Sequence, residues 1–178
     1  NSIASKYGIS LSDLIDVNDI DSEIISAGQE LFIPGAGLDK FTLLKAMGEL
    51  FLTPIKIKYR LTSPYAMRNN PVTGVYSHHT GIDMACPTGT PIYSALSGTV
   101  VFTGTSNVYG HYVIVKHHDG YQTLYAHMSK ILAKKGQYVD QNTKLGLVGS
   151  TGQSTGPHLH FSVRSNGSYV SPWNYLSK

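Results

Sequence analysis

Two short stretches carry residue types able to hold a metal ion. In Gly156-Pro157-His158-Leu159-His160-Phe161-Ser162-Val163, two histidines sit in an apolar run that reads as a strand. Alternation puts both imidazoles on one face and Leu159 and Phe161 on the other. In Ser77-His78-His79-Thr80-Gly81-Ile82-Asp83-Met84, the spacing of His79 and Asp83 co-faces their side chains on a strand or a helix. Gly81 and the β-branched Thr80 and Ile82 favour the strand. Together His79, Asp83 and His160 supply two nitrogens and one oxygen, the donor set of a catalytic zinc that keeps its fourth position open for water. An isolated His-x-His is weak evidence, because a lone histidine is more often a surface or core residue; the combination is what argues for a metal. His78 is the competing donor, and the His-x-x-x-Asp spacing favours His79.

The elements that must position these residues read as strands. Charged residues make up only 14% of the 178, while 18 glycines, 8 prolines and 12 tyrosines suit many short strands joined by turns. The expectation is a mainly β protein, and long helical bundles and disorder are both disfavoured. Alternating segments occur at Ile55 to Leu61, Thr90 to Ala95, Thr99 to Thr103, Tyr112 to His117 and Tyr121 to Tyr125. Asp119-Gly120 marks a hairpin between the last two, which would carry His127 at the end of its second strand. The net charge of +3 and pI near 8.9 suit an anionic polymer such as a cell wall. No nucleic-acid partner is expected. Cys86, the only cysteine, excludes an internal disulfide and a zinc–thiolate cluster. No run approaches the roughly 18 apolar residues of a membrane span, so no transmembrane segment is expected in this chain. No signal peptide heads the chain, and an export signal upstream is left open.

The matching text around these histidines is long. It runs from Leu61-Thr62-Ser63-Pro64-Tyr65-Ala66-Met67-Arg68 and Asn70-Pro71-Val72-Thr73-Gly74 through His79-Thr80-Gly81-Ile82-Asp83 to Tyr125-Ala126-His127. It continues through Gly149-Ser150-Thr151-Gly152 and Ser154-Thr155-Gly156 to His158-Leu159-His160-Phe161. This pattern resembles the LytM-type (M23) metallopeptidases. The resemblance implies an antiparallel β-sheet domain with long loops, zinc held by His79, Asp83 and His160, and His127 and His158 as unligated catalytic histidines. His117 matches a structural position of the pattern, and His118 is read as non-catalytic. Two residues depart from it: Ala66 stands where glycine is usual, and Ser162 where glutamate often follows Leu-His-Phe. The implied activity is zinc-dependent hydrolysis of peptide bonds in bacterial peptidoglycan cross-links or stem peptides, in the periplasm or at the cell wall outside the cell. The alternatives are a non-enzymatic LytM-like regulator that activates a wall amidase, and a glycan-binding anchor.

Ahead of this region, Ile3 to Tyr7 and Leu11 to Val17 have short helical periodicity, with Ser10 as an N-cap, and a turn and strand follow. Ile3-Ala4-Ser5-Lys6-Tyr7-Gly8-Ile9-Ser10, Leu14, Asn18 and Gly28-Gln29-Glu30-Leu31-Phe32-Ile33-Pro34-Gly35 resemble a LysM module, which implies binding of N-acetylglucosamine polymers. As given, the module starts after its first strand. Leu38, Phe41, Leu44, Ala46, Met47, Leu50 and Phe51 suggest an amphipathic linker helix, closed by Pro54. The expected division is a partial LysM-like (α+β) segment at 1–35, a linker helix at 36–53 and an M23 peptidase domain at 54–178. Of the tyrosines at positions 65, 76, 93, 109, 112, 121 and 125, most are read as strand residues, with Tyr76 and Tyr109 placed in loops as groove candidates. Arg68 is read either as holding a substrate carboxylate or as bracing its loop.

Overall fold

The computed structural model describes residues 2–7, 9–18, 20, 25–26, 29–33 and 51–176. The chain divides into two compact units, Asn1–Leu43 and Leu44–Lys178. In the first, α1 spans Ser2–Tyr7 and α2 spans Leu11–Asp16, with Ala4 and Leu14 buried. Ser10 caps α2 as expected: its Oγ accepts the Asp13 N–H at 2.9 Å, satisfying a donor the first turn leaves open. The strand expected after α2 forms no ladder among the described residues. Instead the Asn18 side-chain amide pairs with both the N–H and the C=O of Phe32, at 2.6 Å each, and does the work of a neighbouring strand.

The expected linker helix falls almost wholly on residues outside those described. Its last three positions are not helical. Phe51 makes a parallel bridge to Leu176 and is fully buried against the rings of His117, Tyr121 and Tyr175. Burying an aromatic ring there outweighs the helical spacing that placed Phe51 on a stripe.

The second unit is built from β1 (Arg60–Ser63), β2 (Met67–Asn69), β3 (Tyr76–His78), β4 (Ile82–Ala85), β5 (Pro91–Tyr93), β6 (Gly98–Ser106), β7 (Gly110–Lys116), β8 (Tyr121–Ile131), β9 (Tyr138–Val139), β10 (Lys144–Val148), β11 (His158–Ser165) and β12 (Ser168–Val170). One antiparallel sheet runs in the order β1-β4-β11-β8-β7-β6-β9, with β10 paired to β5 and β8, and β12 to β11. β2 and β3 form a separate two-stranded sheet. Of the segment expected at Ile55 to Leu61, only its end joins a strand, although Ile55 is buried. The Asp119-Gly120 hairpin forms: both residues have positive φ, 51° and 75°, and the Tyr121 N–H closes the turn on the His118 carbonyl at 3.1 Å. That is the turn whose twist matches the flanking strands.

β11 lies between β4 and β8, which buries both of its neighbours' ladders and sets the register of the whole centre. Leu159, Phe161 and Val163 on β11, Ile82 and Met84 on β4 and Tyr125 on β8 are all completely buried on the core side. Each such side chain contributes about 1.5–3 kcal/mol of apolar burial, so a one-residue slip of β11 would lose several at once. Among the described residues no helix is long and apolar enough to cross a membrane.

Gly81 leads into β4 where the chain passes over β11. A Cβ there would stand 2.4 Å from the Phe161 carbonyl oxygen and 2.8 Å from His160 Cε1. The carbonyl cannot yield without breaking the ladder. Gly81→Ala is therefore expected to destabilise the unit by about 1–3 kcal/mol. Thermal melts with and without added zinc check this; the metal-dependent gain in Tm should shrink as well, because the same methyl displaces His160.

Candidate metal centre

Register places the ligand candidates. On β11, His160 stands opposite Asp83 of β4, and His158 opposite Ala85, so both imidazoles share a face with the carboxylate. Ser63 of β1 is Asp83's partner on the other side. His79 does not share a strand with Asp83, contrary to the spacing argument. It sits in the bend between β3 and β4, where its N–H donates to the Ala66 carbonyl at 2.8 Å. The glycine that favours a strand on paper marks the close approach of the bend to β11.

Three atoms converge. His79 Nε2 lies 3.0 Å from His160 Nδ1 and 3.2 Å from Asp83 Oδ1, and His160 Nδ1 lies 2.9 Å from Asp83 Oδ1. All three residues are at least nine-tenths buried. The outer nitrogens fix the tautomers: His79 Nδ1 is 2.8 Å from the Pro64 carbonyl, which can only accept, so Nδ1 carries the proton and Nε2 a lone pair. His160 Nε2 lies 2.9 Å from Ser162 Oγ, a hydroxyl that can accept its N–H and so leave the Nδ1 lone pair facing inward. Three acceptors facing one point with no protein donor between them make a cradle for a cation. Donors at 2.0–2.1 Å from a tetrahedral zinc stand about 3.3 Å apart, close to these separations, so the residues fit the metal. Burial alone would raise the Asp83 carboxyl, but the adjoining His160 and His79, whenever a proton sits on either facing nitrogen in place of a cation, hold it well below the usual carboxylate range. Burial pushes the His160 imidazole down.

His127 reaches the same cleft by an irregularity that alternation does not anticipate. Ala126 pairs with His160, so a regular β8 would turn His127 to the core side. Instead His127 has φ 61°, and the β7–β8 register slips between His111–Met128 and Val113–Tyr125. This bulge re-aims the imidazole into the cleft, at a cost of about 1–2 kcal/mol for a left-handed non-glycine residue. His127 thus lies within β8, not at its end. Its Nδ1 is 2.7 Å from the Thr151 carbonyl and that of His158 is 2.8 Å from the Gly156 carbonyl, so both present Nε2 to the cleft. The two rings are 4.6 Å apart. Burial, followed by the charge of His158 and His160, pushes the His127 imidazole down to about 4, against the pull of the Thr151 carbonyl.

The cleft has a volume of about 690 Å³, and Arg60, Arg68, Tyr109, His127 and His158 line it. Tyr109 lies in the loop before β7, as expected. Tyr76 does not line the cleft: it belongs to β3 and is exposed on the small sheet. His78, one residue from a ligand position, packs edge-on against Tyr65 and lies outside the converging group. His118 is exposed beside Asp119. His117 is a core residue, held by the Ser97 carbonyl at 2.9 Å and the Thr123 hydroxyl at 2.7 Å, and burial pushes it down to about 4. The sequence gives no sign of the orienting carbonyls of Pro64, Thr151 and Gly156, since a backbone oxygen leaves no trace in residue type. Ser162, a departure from the usual pattern, is the group that orients His160.

Two imidazoles and a carboxylate brought to one point on an antiparallel sheet, with two further imidazoles alongside, are a donor set suited to a single metal ion. The chain belongs to peptidase family M23, whose sequence model matches residues 77–172, more than half of the chain. The LysM domain model matches residues 1–34. The chain is 40% identical over 130 residues to the DD-carboxypeptidase/endopeptidase Mpg of Neisseria meningitidis serogroup B, covering 73% of this chain and 30% of that protein. It is 44% identical over 111 residues to the peptidoglycan DD-endopeptidase ShyA of Vibrio cholerae, covering 62% of this chain and 26% of that protein. The crystal structure of a zinc-containing peptidase from Vibrio cholerae superposes with a TM-score of 0.65 at 39% identity, covering 70% of this chain and 40% of that one. The chain thus spans about a third or less of the length of the two curated relatives.

His117 provides a pH test separate from the centre. Its imidazole is held near 4 in the fold against an ordinary value of 6.5, so between those values the unfolded chain binds more protons than the native one. Stability is therefore complete above about pH 6.5 and lost as pH falls towards 4, by up to about 1.4 kcal/mol per unit from this residue. Urea midpoints measured across that window should fall with pH, and His117→Gln should flatten the slope by close to one proton.

Proposed function

We propose that the chain is the catalytic part of a zinc-dependent endopeptidase that hydrolyses peptide bonds in the cross-links or stem peptides of bacterial peptidoglycan, acting in the periplasm or at the cell wall. The observation that carries the reading is the convergence of His79 Nε2, Asp83 Oδ1 and His160 Nδ1 within 2.9–3.2 Å, at the floor of a cleft shared with two unligated histidines. Membership of family M23 and the wall-directed relatives support the same reading. The LysM part supports retention on wall glycan.

In this reading His79, Asp83 and His160 hold the zinc. When bound, the ion supplies a Lewis acid and lowers the pKa of its water to about 7. His127 and His158 carry the protons. Each has its Nδ1–H tied to a backbone carbonyl, which leaves Nε2 to take a proton from the attacking water and return one to the leaving amine.

Two experiments test this. Digestion of purified peptidoglycans of different bridge chemistry, read by mass spectrometry, should yield new amino termini and so identify the bond. Unchanged muropeptides from every wall, with faster hydrolysis once an amidase is added, would replace the enzyme by a regulator. Separately, alanine at His79, Asp83 or His160 should abolish both zinc binding and activity. Alanine at His127 or His158 should keep the zinc and slow the reaction by roughly 10²–10⁴-fold. Elemental analysis beside the rates separates the two groups, and zinc loss in His158→Ala with retention in His160→Ala would reverse the assignment of the pair.

A further inference from the structure

We propose that Arg68 is the carboxylate-reading residue of the cleft, binding a free carboxylate on the carbon attached to the scissile nitrogen; this rests on the peptidase reading above. Arg68 stands on β2, in the small sheet apart from the strands that hold the centre, and lines the cleft with a quarter of its side chain exposed. Among the described residues its side chain has one polar partner, Asp83, through a single contact, Nη2 to Oδ2 at 3.5 Å. An arginine recruited to brace a carboxylate frequently makes paired bonds, each of about 2.7–2.9 Å. Here the guanidinium is close to Asp83 but not matched to it. Its Nε is buried and has no hydrogen-bond partner, an orphan donor of the kind that native structures rarely leave unexplained.

Charge points the same way. Apart from histidines, the charged residues lining the cleft are Arg60, Arg68 and Asp83. With a divalent cation on the three donors the cleft is cationic, and a carboxylate is the ligand that a planar guanidinium fork recognises best.

Position then selects which carboxylate. The Arg68 contact is to Asp83 Oδ2, while Oδ1 faces the converging nitrogens, so the guanidinium stands one carboxylate-width from the metal point. A group that reaches both must lie within a few bonds of the reacting carbonyl. On the acyl side of a peptide bond the α-carboxyl has become that carbonyl itself. On the amine side the carbon attached to the scissile nitrogen bears a free carboxyl where the chain ends there, or where the cross-link is made to the second amine centre of a diamino diacid; a lysine side-chain amine offers none. A glycine bridge cut internally offers no such group.

The test compares two cross-linked muropeptides that differ only in whether the carboxylate next to the scissile nitrogen is free or amidated. Wild-type protein should cleave the free acid with a kcat/KM about 10–100-fold higher, mostly through KM. Arg68→Gln should erase the preference by slowing the free acid alone, Arg68→Lys should keep part of it, and zinc content should stay at the wild-type level. Equal cleavage of both substrates by wild type, a preference that survives Arg68→Gln, or an equal slowing of both accompanied by zinc loss would each overturn the proposal. The last of these would make Arg68 a brace for Asp83. Failure to cleave either substrate would instead remove the peptidase reading. Calorimetric titration of the zinc-loaded protein with N-acetyl-D-alanyl-D-alanine and its carboxamide then decides Arg68 by itself. Tighter binding of the acid in wild type and equal binding in Arg68→Gln sustains the carboxylate site, and equal binding of both by wild type ends it.

Discussion

Three electron-rich atoms held within 2.9–3.2 Å of one another, with their protons turned outwards, are the constraint on which the rest of the second unit depends. Left alone, such lone pairs repel and would relax apart. They stay together because each outer atom is committed elsewhere: His79 to the Pro64 carbonyl, His160 to the Ser162 hydroxyl, and Asp83 to a strand locked between β1 and β11. The completely buried side chains on the opposite face of β4 and β11 supply the energy that holds this arrangement against its own electrostatics.

Electrical balance follows from the same choices. The groups that orient the histidines are carbonyls and hydroxyls, so among the described residues no carboxylate besides Asp83 lines the cleft. Ser162, a hydroxyl where a carboxylate would add charge, directs His160 without adding negative charge. The burial that lowers His127 and His160 keeps both imidazoles neutral at ordinary pH, and several of them can then share one cleft without driving it open.

Much of this was readable in the residues. His-x-x-x-Asp and His-x-His name the three converging side chains, and the strict alternation of β11 follows from Leu159 and Phe161 between and beyond its histidines. The Asp119-Gly120 turn carries its own conformational demand and forms where the dipeptide says. What was not readable depends on contacts distant in sequence. The bulge at His127 reverses the face that alternation assigns, because β7 and β10 both slip register against β8 there. Phe51 continues a helical stripe in sequence but is drawn out of it by the rings of His117, Tyr121 and Tyr175. Tyr76 looks like a loop residue until its pairing with Asn69 makes it part of a strand that faces solvent.

The small β2–β3 sheet has no ladder to the large one, and this separates two kinds of change the protein can undergo over generations. Substitutions on β11 or β4 disturb the donors and the core together, so drift there is tightly policed. The residues around Arg68, Asn70 and Val72 form a wall of the cleft on a hairpin of their own, joined to the floor through the bend at His79. That wall can be reshaped, lengthened or recharged while the chemistry beneath it stands, which makes it the place where a lineage of such enzymes can diversify its diet.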